Sequence, residues 1–118
     1  MTPVDEVEYE ELAARLGEDG LTILDVRSPA EYAGDAGAAC DPRQGHVPGA
    51  VNLDVQELVA LSPEELHERL GPPPGTGVVA YCHSGSRSAL AVEVLRAHGY
   101  EARNYAGSWH EWSRRHPE

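Results

Sequence analysis

The sequence predicts an α/β layer fold built on a mostly parallel sheet. Three features carry that expectation. The continuous apolar runs "LTILDV" (21–26) and "GVVAYC" (77–82) have strand length and read as strands buried on both faces. Helical signals fall between such runs, so strand and helix alternate along the chain. The chain has 118 residues, enough for one domain with its own core, and residues 1–118 are taken as a single domain.

In chain order, "TPVDEVEYEEL" holds a short first strand, and "YEELAARL" reads as an amphipathic helix stopped near Gly17 and Gly20. "VNL" (51–53) is a short strand. "ALAVEVLRAH" (89–98) is a helix with Leu90, Val94 and Ala97 on one stripe and Gly99 just past its end. "EARNYA" (101–106) is the last strand and "WHEWSRR" (109–115) the last helix. Ser-x-x-Glu capping boxes at Ser28/Glu31, Ser62/Glu65 and Ser108/Glu111 mark helix starts. Pro29 and Pro63 stand at first helical positions, where a missing amide costs nothing. "GPPPGTG" (71–77) is a stiff connector rather than a domain boundary.

Apolar residues make up 41% and charged residues 25%, which argues against disorder. The net charge of −11 argues against a nucleic-acid partner. No apolar run is long enough for a membrane helix and no basic-then-apolar leader is present, so no membrane partner is expected and the cytoplasm is the expected compartment. Two cysteines, Cys40 and Cys82, do not make a disulfide framework and are read as reduced thiols. All nine basic residues are arginine. Because the field of a net acidic surface is screened beyond about 8 Å, any anion site must be built locally, from backbone amides and a well-placed arginine.

"YCHSGSRSA" (81–89) provides that arrangement. Cys82 ends a strand, and a helix begins at about Ser86 to Ser88. Amides at such a turn, with the positive end of a helix, cradle an anion and stabilise a thiolate. Gly85 permits the tight turn and Arg87 closes the loop with a planar fork of donors. A buried structural cysteine before a Gly/Ser turn is the plain alternative; the joint placement of glycine, helix start and arginine favours a nucleophile. Cysteine-dependent phosphatases need five residues between cysteine and arginine to wrap a phosphoryl group. Here four lie between them, His83 to Ser86, and a smaller cradle fits a terminal sulfur. Sulfur transfer also needs no proton donor, consistent with the lack of an evident Cys/His/Asp triad.

On these residues the chain resembles a rhodanese-family sulfurtransferase. "CHSGSR" resembles the active loop of the family, "LDVRSPAEY" (24–32) its first strand and exit, and "GHVPGAVN" (45–52) a second signature. "NYAGSWHEW" (104–112) is similar to the closing motif of catalytic domains, especially the C-terminal halves of two-domain thiosulfate sulfurtransferases. The resemblance implies a single domain with a five-stranded, mainly parallel sheet and helices on both faces. It implies a Cys82 persulfide, with His83, Ser84, Gly85, Ser86 and Arg87 lining the substrate site and Asp25 and Arg27 bracing the loop. It implies no cofactor. The donor would be a small sulfur anion such as thiosulfate and the acceptor cyanide or a thiol; the alternative is a persulfide carrier that serves a partner protein. Glu31 and Ser84 stand where some two-domain thiosulfate enzymes carry basic residues, which weighs against thiosulfate as the preferred donor. The loop also lacks the Gly-Val-Thr ending typical of mercaptopyruvate enzymes.

Other residues carry weaker signals. Cys40 lies in the polar insertion "AGDAGAACDPRQG", as a resolving thiol or, more simply, a bystander in a loop. Apart from scattered pairs such as His110 and His116, the six histidines show no ligand spacing with another His, Cys or acid on one helix face, so no metal is expected. His46 and His83 are the two near motifs. Trp109 and Trp112 are read as packing residues, and the acidic first helix as a solvated face.

Overall fold

Alternate residues of the two central strands face opposite ways, and each face is apolar, so the sheet must be covered on both sides. The computed structural model describes residues 5–73 and 75–117. Its elements are α1 (Tyr9–Ala14), β1 (Leu21–Asp25), α2 (Pro29–Ala33), β2 (Val51–Asn52), α3 (Val55–Ala60), α4 (Pro63–Leu70), β3 (Gly77–Tyr81), α5 (Ser86–Ala97), β4 (Glu101–Asn104) and α6 (Ser108–Arg115). The strands form one parallel sheet in the order β2-β1-β3-β4.

Leu24, Val78 and Ala80 face α3, α4 and α5, where Leu58, Leu66, Ala91, Val92 and Leu95 bury against them. Ile23, Val79 and Tyr81 face the other way, onto Leu12 of α1 and Trp109 and Trp112 of α6. The expected α/β architecture with helices on both faces is therefore present. Among the described residues the strand count is smaller: four strands, with the expected first strand represented by a single parallel bridge between Glu6 and Asn104. Glu6 sits beside the short edge strand β4, where the Val7 amide donates to the Asn104 carbonyl at 2.9 Å and the Asn104 amide donates to the Asp5 carbonyl at 2.8 Å. Residues 1–4 of that sequence segment, and Pro74 of the 71–77 connector, lie outside the described residues.

The capping boxes at Ser28/Glu31 and Ser62/Glu65 form in full, each with proline in the first turn. The third does not. Gly107 is the N-cap of α6, and Ser108 takes φ +55°, turning its hydroxyl away from the Glu111 amide. Helix α3 was not anticipated; Asp54 caps it by accepting from the Gln56 amide. On α5 the buried stripe is Ser88, Ala91, Val92 and Leu95, while Leu90 is 47% exposed and Ala97 is exposed. The expected stripe of Leu90, Val94 and Ala97 was thus rotated. Apolar residues surround this helix, so periodicity alone leaves its inward face open.

The strand order places a topological switch point between β1 and β3, where the chain leaves β1 for β2 on one side and β3 for β4 on the other. In such sheets the crevice beyond the carboxyl ends at that point is where ligands bind. Asp25 and Tyr81 pair there in register, and Cys82 follows directly. A cleft of about 460 Å³ opens instead near the amino ends of the strands, by Leu21, Gly77, Glu101 and Arg103. That cleft lies at the opposite end of the strands from Cys82.

The rotated α5 stripe predicts unequal costs for two leucines. Leu95→Ala should destabilise the protein by about 2–5 kcal/mol in urea denaturation, as for other fully buried leucines. Leu90→Ala should change stability by no more than about 0.5 kcal/mol.

Candidate active site at the carboxyl end of β3

Cys82 is 1% exposed, yet the turn that follows is directed at its sulfur. The Gly85 amide donates to Cys82 Sγ at 3.1 Å and the Ser88 hydroxyl lies 3.4 Å from it. Burial acts to raise the thiol pKa. The Ser88 hydroxyl and the backbone amides of Ser88, Gly85 and Ser84 act the other way and prevail, so the thiol ionises below its ordinary value. The sulfur also sits at the N-terminus of α5, at 12 residues the longest helix described, whose dipole adds to the same effect.

Gly85 is required for this geometry. Its φ of +99° belongs to the left-handed region, and a Cβ there would come within 2.7 Å of the Ala106 carbonyl oxygen. Asn104 Nδ2 donates to the Gly85 carbonyl at 3.2 Å, so β4 secures the turn from the far side. The Cys82 amide donates to Ser108 Oγ (3.1 Å), which itself donates to the Tyr105 carbonyl (2.8 Å). The Trp109 and His110 amides donate to the Cys82 and His83 carbonyls at 2.9 and 3.0 Å. The first turn of α6 thereby satisfies its free amides on the loop.

Beneath the loop lies a buried polar network. Arg27 donates to Asp25 from its backbone amide, Nε and Nη2, and Nη2 also reaches the Gly45 carbonyl at 2.6 Å. Tyr81 donates its hydroxyl to Asp25 Oδ2 at 2.8 Å and accepts from the Val47 amide at 3.0 Å. The Arg27 guanidinium lies against the rings of Tyr81 and Trp109. Asp25 and Arg27 therefore hold the residue before Cys82 and the 45–47 segment, with no direct hydrogen bond to residues 83–87.

Arg87 stands at the rim, 38% exposed in its side chain, and its fork is occupied. Nη1 and Nη2 donate to Glu31 Oε1 and Oε2 at 3.0 and 3.2 Å. Glu31 thus has two tasks, capping α2 and holding Arg87, and the arginine lowers its pKa to about 2, helped by the Ser28 amide against the opposing effect of burial. Of the remaining loop residues, Ser84 and Ser86 are exposed, whereas His83 turns toward Asp41 of the insertion, its Nε2 3.0 Å from Asp41 Oδ2. His46 stacks on Tyr32 and bonds its carbonyl, a packing role. Trp109 and Trp112 are buried against the sheet as packing residues.

Sequence reasoning missed Ser88, Asn104, Ser108 and the Tyr81 hydroxyl. Ser88 lies six residues after Cys82, on the inward face of α5, and could have been found from that spacing had the stripe been placed correctly. The others reach the loop only through tertiary contact.

With this geometry in view, the comparisons with known proteins place the chain. It belongs to the family described as the Rhodanese-like domain, matched over residues 8–115. It is 37% identical to a thiosulfate sulfurtransferase of Pseudomonas aeruginosa, over 92% of this chain but 42% of that protein. A crystal structure titled probable thiosulfate sulfurtransferase superimposes with a TM-score of 0.81 at 45% identity, covering 93% of this chain and 45% of the other. The human single-domain sulfurtransferase TSTD1 superimposes with a TM-score of 0.75 at 29% identity, covering 98% of this chain and all of that one. The chain thus spans less than half the length of the Pseudomonas protein and the full length of the human domain. Among the described residues no helix is long and apolar enough to cross a membrane.

In a Cys40→Ser background, Ser88→Ala removes a donor to the thiolate, so the pH midpoint of Cys82 alkylation by iodoacetamide should move upward. The Glu31–Arg87 pair contributes stability that is present above the unfolded carboxylate value of 4.5 and is lost as pH falls through about 2. Glu31→Gln keeps a capping side chain but no charge, so its chemical-denaturation stability should fall less than the wild type's between those two pH values.

Proposed function

We propose that the chain is a sulfurtransferase that carries a sulfane sulfur as a persulfide on Cys82. The observation that carries this reading is the thiol at the end of β3, with the Gly85 amide and Ser88 hydroxyl directed at its sulfur and its pKa held down by them. The names of the relatives support the same chemistry.

The reaction is written in two displacements. The Cys82 thiolate attacks the outer sulfur of a donor such as thiosulfate; the donor S–S bond breaks and sulfite leaves with its electron pair. Cys82 then bears a persulfide whose terminal sulfur is anionic. Cyanide or a thiolate attacks that sulfur, the bond to Sγ breaks, and the electron pair returns to the Cys82 thiolate. Products are thiocyanate or a new persulfide. No net oxidant, metal or proton donor enters. Gly85, Ser88 and the amides of 84 and 88 hold the anionic sulfur in both half-reactions. Ser84, Ser86 and Arg87 border the incoming donor, His83 flanks the loop, and Asp25 and Arg27 fix the strand ends beneath it. The reading assigns the reducing cytoplasm as compartment, where both cysteines remain free thiols.

The donor must deal with the Glu31–Arg87 pair. An anion that draws on Arg87 competes with a carboxylate already bound to it through two nitrogens. This favours donors of low charge density, such as a thiol persulfide, over thiosulfate, and gives the carrier reading its footing.

Intact mass spectrometry tests the proposal. Incubation with thiosulfate should add one sulfur atom, removed by cyanide and absent in Cys82→Ser. A mass gain seen only with a persulfidated protein donor would establish the carrier instead. No gain from any sulfane donor, or release of phosphate from an ester through Cys82, would overturn both. Glu31→Gln should lower KM for thiosulfate by roughly two- to five-fold with little change in kcat, matching the value of about 0.5–1 kcal/mol of a partly exposed ion pair.

A further inference from the structure

A second cluster of chemistry-bearing side chains lies on the other side of His83. Cys40 and Asp41 come from the insertion after α2, His83 from the active loop and His110 from α6. One ligand atom of each lies within 4.8 Å of the others, and among the described residues this is the group with metal-ligating composition. Three segments distant in sequence converge there, so no spacing along a helix could have announced it.

Composition alone would not make this a site. Two further observations do. The Asp41 side chain is fully buried, and its Oδ2 makes no hydrogen bond. The buried Nε2 of His83 makes none either, although the two atoms face each other at 3.0 Å. A buried carboxylate oxygen and a buried imidazole nitrogen without hydrogen-bond partners are costly. Their contact is an ion pair when the imidazole is protonated, and a cation bound beside them would instead take a lone pair from each.

We propose that Cys40, Asp41, His83 and His110 bind one divalent transition-metal ion of the zinc class. The donor set of thiolate, carboxylate and two imidazoles suits that ion, and thiolate excludes magnesium and calcium as the preferred occupants. Tetrahedral bonds of about 2.0–2.3 Å put ligand atoms roughly 3.3–3.8 Å apart, so pairs near the 4.8 Å limit must close by about 1 Å and the Asp41–His83 pair, at 3.0 Å, must open slightly. Cys40 and His110 are exposed, which leaves them free to close it. On binding, the Cys40 thiol releases its proton to solvent, and the ion's two charges are balanced by the Cys40 thiolate and the Asp41 carboxylate.

Arg114 supplies the outer partner. It donates to Asp41 Oδ1 at 2.9 Å and to the carbonyls of His110 and Cys40 at 2.6 and 2.7 Å, which leaves Oδ2 as the ligand atom. A carboxylate fixed through one oxygen and offered through the other is how outer partners orient ligands. Arg114 also reaches His110 Nδ1 at 3.2 Å, and that contact yields if Nδ1 is the nitrogen that turns inward.

Cobalt(II) titration of chelator-treated, reduced protein tests the site apart from any sulfur transfer. One equivalent should bind with the visible bands of tetrahedral cobalt and a near-ultraviolet thiolate-to-cobalt band. Cys82→Ser should keep the whole spectrum. Cys40→Ser should lose the thiolate band, and His110→Ala should weaken binding by more than about tenfold, the least that loss of even an outer partner costs. Both replaced side chains are exposed, so folding is retained and far-ultraviolet circular dichroism verifies it; Asp41→Asn is a third variant whose failure to fold would leave the other two decisive. Absence of stoichiometric binding, or a spectrum that survives Cys40→Ser and vanishes with Cys82→Ser, would overturn the proposal.

Discussion

The Asp25 carboxylate is the point on which the molecule's functional end depends. It is fully buried at the switch point of the sheet, and a lone charge there would be untenable. Three donors from Arg27 and the Tyr81 hydroxyl satisfy it. Those partners are what the site requires. Tyr81 fixes the residue before Cys82, Arg27 reaches the Gly45 carbonyl, and Tyr81 in turn binds the Val47 amide. One carboxylate therefore sets the end of β1, the end of β3 and the segment through which the 33–44 insertion returns to the core. Replacing such a network with apolar groups could raise stability, but it would release the three segments from one another.

The electrostatics of the site run against those of the whole chain. A net charge of −11 opposes both a thiolate and an anionic donor. Screening confines that field to about a Debye length, whereas the donors to Sγ act at hydrogen-bond distance. Local geometry wins because it works at about 3 Å. Glu31 shows the same rule in reverse: it neutralises Arg87 at contact distance, so the one guanidinium on the active loop contributes little positive potential until the pair opens.

The sequence revealed what is written in local signals. Strands β1 and β3 were legible because both their faces are apolar, and α2 and α4 because serine, proline and glutamate stand at the spacing that caps a helix. The thiol, Gly85 and helix start were legible for the same reason, being consecutive residues of one turn. Tertiary constraints were not. Ser108 has the composition of a capping box, but its hydroxyl is taken by the Cys82 amide and its backbone is forced to positive φ. Arg87 and Glu31 are 56 residues apart, as are Tyr81 and Asp25, and nothing in either segment names its partner. The inward face of α5 was missed because alanine, valine and leucine leave more than one face able to bury.

The two cysteines are best understood together. Cys82 is withdrawn from water while its sulfur keeps hydrogen bonds, which stabilise charge without consuming a lone pair in a covalent bond. Cys40 sits beside a carboxylate and two imidazoles, and a thiolate coordinated there shares its electron pair with the ion. A thiolate so held is a poor attacker of a neighbouring persulfide, so metal ligation and a resolving role exclude each other for Cys40. His83 joins the two regimes, since its backbone follows Cys82 and accepts from α6 while its ring faces Asp41. Closing the cluster on an ion would therefore hold the first residue of the loop from its side chain as α6 already holds it from its carbonyl. The loop's donors would be steadied without any change in what touches the Cys82 sulfur.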